Sequence, residues 1–271
     1  MKSIYITLLS CVTYLSTYSQ DTLVPSIAVL KKESLDLPLK IKHAEPIYID
    51  LMRDLGAPKG EAEFNIGYGI ANYKKSKQHN AFIEYEWAIA DRIGMEVEIP
   101  TSFDSSSLSK IDGIKLATQY TFLVNEKHQT SLAVGYMHEM EFTNTRQFQK
   151  QSSLFKGFIS NPFFIAAKNF GSFSALLYTG PEFIYEFESK EIITNYALNA
   201  SIHYMIPNSH HFIGIENNLL FEKEELEYIM RPQMKLGILH NFSIGVVTGI
   251  PIVSNDFTMD FMTRIIWEPN F

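Results

Sequence analysis

Residues Asp256–Phe271 read DFTMDFMTRIIWEPNF, and the period of this stretch decides the fold. Every second side chain is apolar or weakly polar: Phe257, Met259, Phe261, Thr263, Ile265, Trp267, Pro269 and Phe271. The alternate set is Thr258, Asp260, Met262, Arg264, Ile266, Glu268 and Asn270. A repeat of two puts successive side chains on opposite sides of a strand, so this strand has one greasy and one wet face. The same alternation recurs backwards through the chain to Glu63. Strands are expected near 63–73, 80–90, 93–103, 111–124, 129–142, 156–167, 172–187, 191–205, 211–222, 225–238, 241–253 and 256–270, twelve in all.

The connectors of these segments alternate in length. Those after even-numbered strands are tight: Asp91-Arg92, Asn125-Glu126-Lys127, Lys168–Gly171, Pro207–Ser209 and His240-Asn241. Those after odd-numbered strands include the longer polar runs Asp104–Lys110 and Thr143–Leu154. An even strand count with short turns at one end and longer loops at the other is the pattern of a bacterial barrel in lipid. The final strand, with its alternation and its terminal Phe, resembles that of Gram-negative outer-membrane β-barrel proteins. Pro269 departs from that pattern, at a position where an apolar residue is usual. The resemblance implies an integral outer-membrane barrel with both termini periplasmic. It also implies an assembly signal read by the barrel-assembly machinery, carried here by Phe261, Ile265, Trp267 and Phe271. Aromatic residues near the tight-turn ends of the greasy face, Tyr120, Phe122, Tyr204, Phe242, Trp267 and Phe271, suit an interfacial girdle. A soluble sandwich or lipocalin-like barrel also alternates, but it leaves the girdle, the turn parity and the terminal Phe together without a reason.

Residues 1–19 read as a secretory signal, with Lys2, an apolar run over Ile4–Leu15 and the small-residue pattern Thr17-Tyr18-Ser19. A weak lipobox at Leu8–Cys11 is the alternative, opposed by the apolar run that continues beyond Cys11. Cleavage after Ser19 removes the only cysteine, and disulfide and thiol chemistry with it. The chain carries 23 Lys+Arg against 30 Asp+Glu, a balance that argues against nucleic acid as a partner. No apolar run after residue 20 is long enough for a spanning helix, so a membrane protein of this composition has to be a closed barrel.

Residues 20–61 stand apart as a periplasmic or plug segment ahead of the barrel at 62–271. The segment contains HAEPIYIDLMRDLGAPKGEAEFNIG from His43. Pro46 can open a helix and Gly56 can close it, with Ile47, Leu51, Met52 and Leu55 on one face. One short helix is expected there, stable when docked on something larger. The HAEP…YID…RDLGAPKGE wording resembles a segment of bacterial envelope proteins, a resemblance that brings no activity with it. His43 and Glu45 are two metal-ligating residues, and two ligands do not make a site.

The fold class is therefore all-β, a closed antiparallel transmembrane barrel of about twelve strands. Function has to lie on its wet face. A tight turn at Asp91-Arg92 sets Glu86 opposite Glu96 and Glu84 opposite Glu98, with Trp87 opposite Met95 and Tyr85 opposite Val97 outside. Like charges placed opposite one another destabilise a sheet, so this acidic wall of Glu84, Glu86, Glu96 and Glu98 needs a remedy. Protonation and a bound cation are two answers. Neutralisation by protein groups, Lys115, Arg264, Arg53 or Lys59, is the favoured third. Lys115, Arg231, Lys235 and Arg264 are the basic groups expected in the lumen. Outer-membrane phospholipases set a His and a Ser two residues apart on the outer face. The comparable Ser201-Ile202-His203 points inward here, and His138, with outward parity, has no Ser two residues away. With no nucleophile, base and orienting group together, no enzyme is expected, and no cofactor or metal. A narrow, mainly acidic small-solute channel is the first expectation. A structural or assembly subunit docking an envelope partner is the second, and a lipid-modifying enzyme the third.

Overall fold

The computed structural model describes residues 38–49, 51–104, 110–143, 154–223 and 225–269. The signal at 1–19, the segment at 20–37, most of the two long loops and Phe271 lie outside the described residues. Twelve long strands follow one another: β1 (Ala62–Tyr73), β2 (Lys77–Ala90), β3 (Ile93–Asp104), β4 (Gly113–Asn125), β5 (Thr130–Phe142) and β6 (Phe155–Phe170). They continue as β7 (Phe173–Glu186), β8 (Ile192–Met205), β9 (Phe212–Phe221), β10 (Leu226–Leu239), β11 (Phe242–Val253) and β12 (Phe257–Trp267). The two-residue piece Lys110–Ile111 pairs with the end of β3 ahead of β4. Every strand is antiparallel to its sequence neighbour, and β1 closes on β12 from Phe64↔Trp267 to Tyr73↔Phe257. A closed antiparallel barrel results, with no free edge to leave backbone groups unpaired in lipid.

The connections β2–β3, β4–β5, β6–β7, β8–β9 and β10–β11 gather at the end where β1 begins and β12 finishes, here the turn end. Arg92 (φ 67), Gln129 (φ 50), Gly171 (φ 62) and Asn208 (φ 59) supply the left-handed residues that such sharp reversals require. The opposite, loop end holds the long connections. Alternation sorts the side chains as the period of two demands. On β2, Ile83, Tyr85 and Ile89 are exposed to the outside, whereas Glu84, Glu86 and Ala88 are buried within. On β12, Met259, Phe261, Ile265 and Trp267 face out, and Asp260, Arg264 and Ile266 face in. Tyr120, Phe122, Tyr204 and Trp267 stand exposed near the turn end.

Two expectations fail locally. Phe257 lies inside, packed with Ala71 and Ile229, because a register irregularity at Asn72/Tyr73 shifts the face by one residue. The short helix between Pro46 and Gly56 is replaced by bends and turns over the described residues. The physical reason lies in the backbone N–H groups, which find partners on the barrel wall. Ile47 N–H donates to Gln233 Oε1 (2.5 Å), Ile49 N–H to Glu216 Oε1 (3.1 Å) and Gly56 N–H to Thr121 Oγ1 (3.1 Å). With those donors satisfied, the segment needs no i→i−4 ladder. Arg53 at φ 131 and Gly56 at φ 89 break any helix there in any case.

Candidate functional site

Residues 38–49 and 51–61 run inside the barrel. They enter at the turn end, where His43 bridges β5 and β6 through Ser131 Oγ (2.9 Å) and Asn169 Oδ1 (3.0 Å). Asn169 Nδ2 donates to the Lys42 carbonyl, so Oδ1 faces the ring and His43 carries its proton on Nδ1. The segment climbs to Tyr48, whose ring lies 3.4 Å from the Arg231 guanidinium carbon, a cation–π contact. It then returns. Gln119 Nε2 donates to the Arg53 carbonyl, and Gly60 N–H to the Ala88 carbonyl, leading into β1. Ile47 packs with Ala44, Phe212, Val247 and Ile266. Leu51, Met52 and Leu55 pack with Ala117, Ala133, Phe163 and Ile165. The approach is close at Gly94, where a Cβ would stand 2.0 Å from the Met52 carbonyl oxygen.

Charge at the base of this segment is organised in pairs. Lys40 Nζ stands 2.5 Å from Asp54 and 2.6 Å from Glu61. Against the pull of burial, Lys40 holds the Asp54 carboxyl well below the usual carboxylate range. Burial pushes the neighbouring Glu45 carboxyl well above that range, and the Asp54 charge adds to it. Burial also lowers His43 below the ordinary imidazole value, with the bond to Asn169 opposing. Arg53, 3% exposed, places Nη1 2.9 Å from Glu63 and 3.5 Å from Glu86.

The structure brings Glu84, Glu86, Glu96 and Glu98 together on the inner face. The β2–β3 ladder sets Glu84↔Glu98, Glu86↔Glu96, Tyr85↔Val97 and Trp87↔Met95. Lys115 Nζ lies 2.9 Å from Glu96 and 2.5 Å from Glu98. Arg264, delivered across the closing seam, contacts Glu84 and lies 3.3 Å from Glu86. Asn65 Nδ2 donates to both Glu84 (2.8 Å) and Glu86 (3.0 Å). Carboxylate oxygens of Glu84, Glu96 and Glu98 come within 4.8 Å of one another, close enough for a divalent ion, but the Lys115 ammonium occupies the same cluster. Arg231 pairs with Asp260, and Lys235 lies 3.8 Å from Glu268. Lys59 takes no part through its side chain; its backbone N–H donates to Asp91. Phe261, Ile265 and Trp267 are exposed on the outer face.

Among the described residues, two cavities lie beside the inserted segment. The one toward the loop end, about 190 Å³, is lined by Tyr48, Tyr73, Asn80, Phe82, Glu227 and Arg231 among others. The one at the turn end, about 410 Å³, is lined by Lys42, His43, Glu45, His210, Lys235 and His240 among others. Sequence reasoning missed Asn65, Glu63 and Tyr48 as members of this polar lumen. The parity of β1 could have placed Asn65 and Glu63 inside, but no local signal places Tyr48 under Arg231.

Ser201 and His203 are buried on the inner face, His203 edge-on to Phe212 at 4.7 Å. Neither Ser201 Oγ nor the His203 ring nitrogens have a hydrogen-bond partner among the described residues, so they form no nucleophile–base pair. On the outer face His138 does meet a serine. Ser160, its partner across β5–β6, lies 3.2 Å from Nδ1, with Tyr136 Oη 2.9 Å from Ser160. Sequence spacing along one strand could not reveal a cross-strand pair. No carboxylate orients this ring among the described bonds, and the strand amides around it are committed to the ladder, leaving no donor set for a developing oxyanion.

Solved structures similar to this chain include outer-membrane channels. An outer membrane channel from Pseudomonas putida F1 aligns with a TM-score of 0.58 at 11% identity, over 82% of this chain and 100% of that one. The NanC porin aligns at 0.56 and 9% identity, over 77% and 100%. The KdgM porin aligns at 0.54 and 14% identity, over 76% and 99%. These likenesses establish a shared fold, the closed antiparallel barrel of porins and outer-membrane channels. No curated protein matches the chain. The family model described as HAEPLYID-like matches residues 39–268, from the inserted segment, with its HAEPIYID run, through the last strand, and the chain belongs to that family of outer-membrane β-barrels.

Proposed function

We propose that this protein is an outer-membrane diffusion channel that residues 38–61 hold shut. One observation carries the reading: two cavities occupy opposite ends of one lumen, Tyr48 bounding the first and Lys40–Glu45 the second, with the inserted segment between them. On this reading residues 1–19 are a leader removed on export, the turn end and both termini face the periplasm, and assembly uses the outer-membrane insertion machinery. The solutes are small and neutral or cationic. Carboxylates outnumber cations on the inner face, and a wall of one sign raises the local concentration of opposite charge. A polyanion is disfavoured there. The KdgM porin also has a solved structure in complex with disordered oligogalacturonate, an acidic polymer, and this acidic lumen suits the opposite class.

Planar-bilayer recording tests the reading. The wild-type chain is expected to stay near the closed baseline, whereas Arg53→Ala combined with Lys40→Ala, which strips the ionic anchors of the segment, conducts. A doubly substituted barrel that inserts and never conducts overturns it. A second reading, a subunit that docks an envelope protein at the turn end, is supported by the opening of the HAEP run onto the turn-end cavity. Stoichiometric co-purification of one envelope protein in mild detergent, lost on substitution of Lys42, favours that reading over the channel.

A further inference from the structure

Glu63 stands directly opposite Glu86 in the β1–β2 ladder, and both are buried. Like charges so placed destabilise a sheet unless a cation separates them. The group between them is the Arg53 guanidinium, whose Nη1 touches both carboxylates. Arg53 belongs to the inserted segment and not to the barrel wall. Its fit is imperfect: Nε is buried without an acceptor, and its backbone sits at φ 131, a region that non-glycine residues adopt at a cost. Beside it the wall holds two more buried acceptors. Oδ1 of Asn65, a residue 0% exposed, and Oε2 of Glu84, a residue 1% exposed, receive no hydrogen bond among the described residues.

We infer that Glu63, Glu86, Glu84 and Asn65 form a binding site for guanidinium and primary ammonium solutes, which the Arg53 side chain fills in the shut state. The inference rests on residues 38–61 being a displaceable plug. When they withdraw, Glu63 loses its salt-bridge partner and keeps only the more distant charges of Lys235 and Arg264, while Glu86 keeps Arg264, so the wall favours a replacement cation in contact with Glu63. Unsatisfied acceptors at several points select a cation that carries several N–H donors over a bare or fully alkylated one. Solute and plug therefore compete for the same carboxylates, and the permeant class opens its own path.

The test reads the position of the plug and not conduction. In the full chain with Cys11→Ser, a cysteine at buried Ala57 reports withdrawal through its rate of labelling by a maleimide reagent. Guanidinium chloride is expected to raise that rate about tenfold, with a midpoint on the order of 10 mM. Methylammonium should act more weakly, and tetramethylammonium or urea at equal concentration should leave the rate unchanged. Arg53→Ala should label fast without any cation, and Glu63→Gln should lose the response to guanidinium. Should either variant fail to show the heat-modifiable gel mobility of a folded barrel, the comparison of guanidinium with tetramethylammonium on the unsubstituted wall decides alone. Labelling that ignores guanidinium, or answers equally to tetramethylammonium, overturns the site. A barrel that labels in response to guanidinium yet never conducts upholds the site and overturns the channel reading.

Discussion

Arg264 illustrates how much of the lumen rests on single charges. The residue is 2% exposed, and its guanidinium serves Glu84 and Glu86 together. Breaking a buried pair leaves uncompensated charge, which typically costs about 3–5 kcal/mol. Arg264→Leu should therefore lower stability by about that amount in urea titration of the liposome-inserted barrel. Adding Glu84→Leu to it should recover part of the loss, since replacing both partners removes the stranded charge. His43 gives a pH signature of a different kind. Burial lowers its affinity for a proton, so the docked segment binds fewer protons than the released one. Docking strength from this residue is then fully present above the ordinary imidazole value of about 6.5 and is lost as pH falls through it toward the lowered value. Lys40, Lys42 and Asp54 lie around it, and Glu45, whose carboxyl burial raises, titrates in the opposite sense. The measurement is thus the difference between the wild-type chain and His43→Gln: labelling at Ala57→Cys should rise below that pH in the first and stay flatter in the second.

At the scale of elements, β12 and the inserted segment obey different rules. The outer face of β12 meets lipid, where a cation costs about 2–4 kcal/mol at the midplane and about 0–1 kcal/mol near the interface. Phe261→Lys should therefore destabilise the barrel far more than Trp267→Lys, which lies at the turn end; equal effects in urea titration would show that this face does not lie in lipid. For the inserted segment the sensitive point is the wall. Gly94→Val places atoms against the Met52 carbonyl, a backbone that cannot yield as a flexible side chain would. The variant should fold as a barrel yet label rapidly at Ala57→Cys. The contrast explains what could be read beforehand. Alternation along β12 and the tight turn at Asp91-Arg92 are local, so strand identity, facing and the β2–β3 register were legible. Phe257 was not, because a bulge that leaves Thr258 of β12 unpaired, with Asn72 and Tyr73 opposite Met259 and Phe257, reset its face. The apolar spacing of Ile47, Leu51 and Leu55 suggested a helix, yet those side chains pack on the barrel wall from an irregular backbone. Arg53 could be named as one candidate counter-ion, but its reach to Glu63 and Glu86 depends on a path through the lumen that no local pattern encodes.

For the whole molecule, closure converts a sequence asymmetry into a spatial pairing. Acidic residues concentrate on the early strands and Arg231, Lys235 and Arg264 on the late ones, and joining β1 to β12 sets Arg264 beside Glu84 and Glu86. The pairing is incomplete. Glu227 lines the loop-end cavity, where its recorded partner is the Ser254 hydroxyl, and Glu98 faces Lys115 in company with Glu96. A released lumen therefore keeps a negative wall, and its strength depends on salt. Charges are screened over roughly 10 Å at 0.1 M salt and roughly 3 Å at 1 M. The Arg53→Ala, Lys40→Ala channel should accordingly show a reversal potential displaced toward that of potassium in a dilute KCl gradient, and the displacement should shrink in concentrated KCl. Glu98→Gln with Glu227→Gln should move the dilute-salt reversal potential toward zero without closing the pore. Anion preference in the released channel, or indifference to both substitutions, would show that the wall's charge is fully consumed by its own lysine and arginines and sets no selectivity.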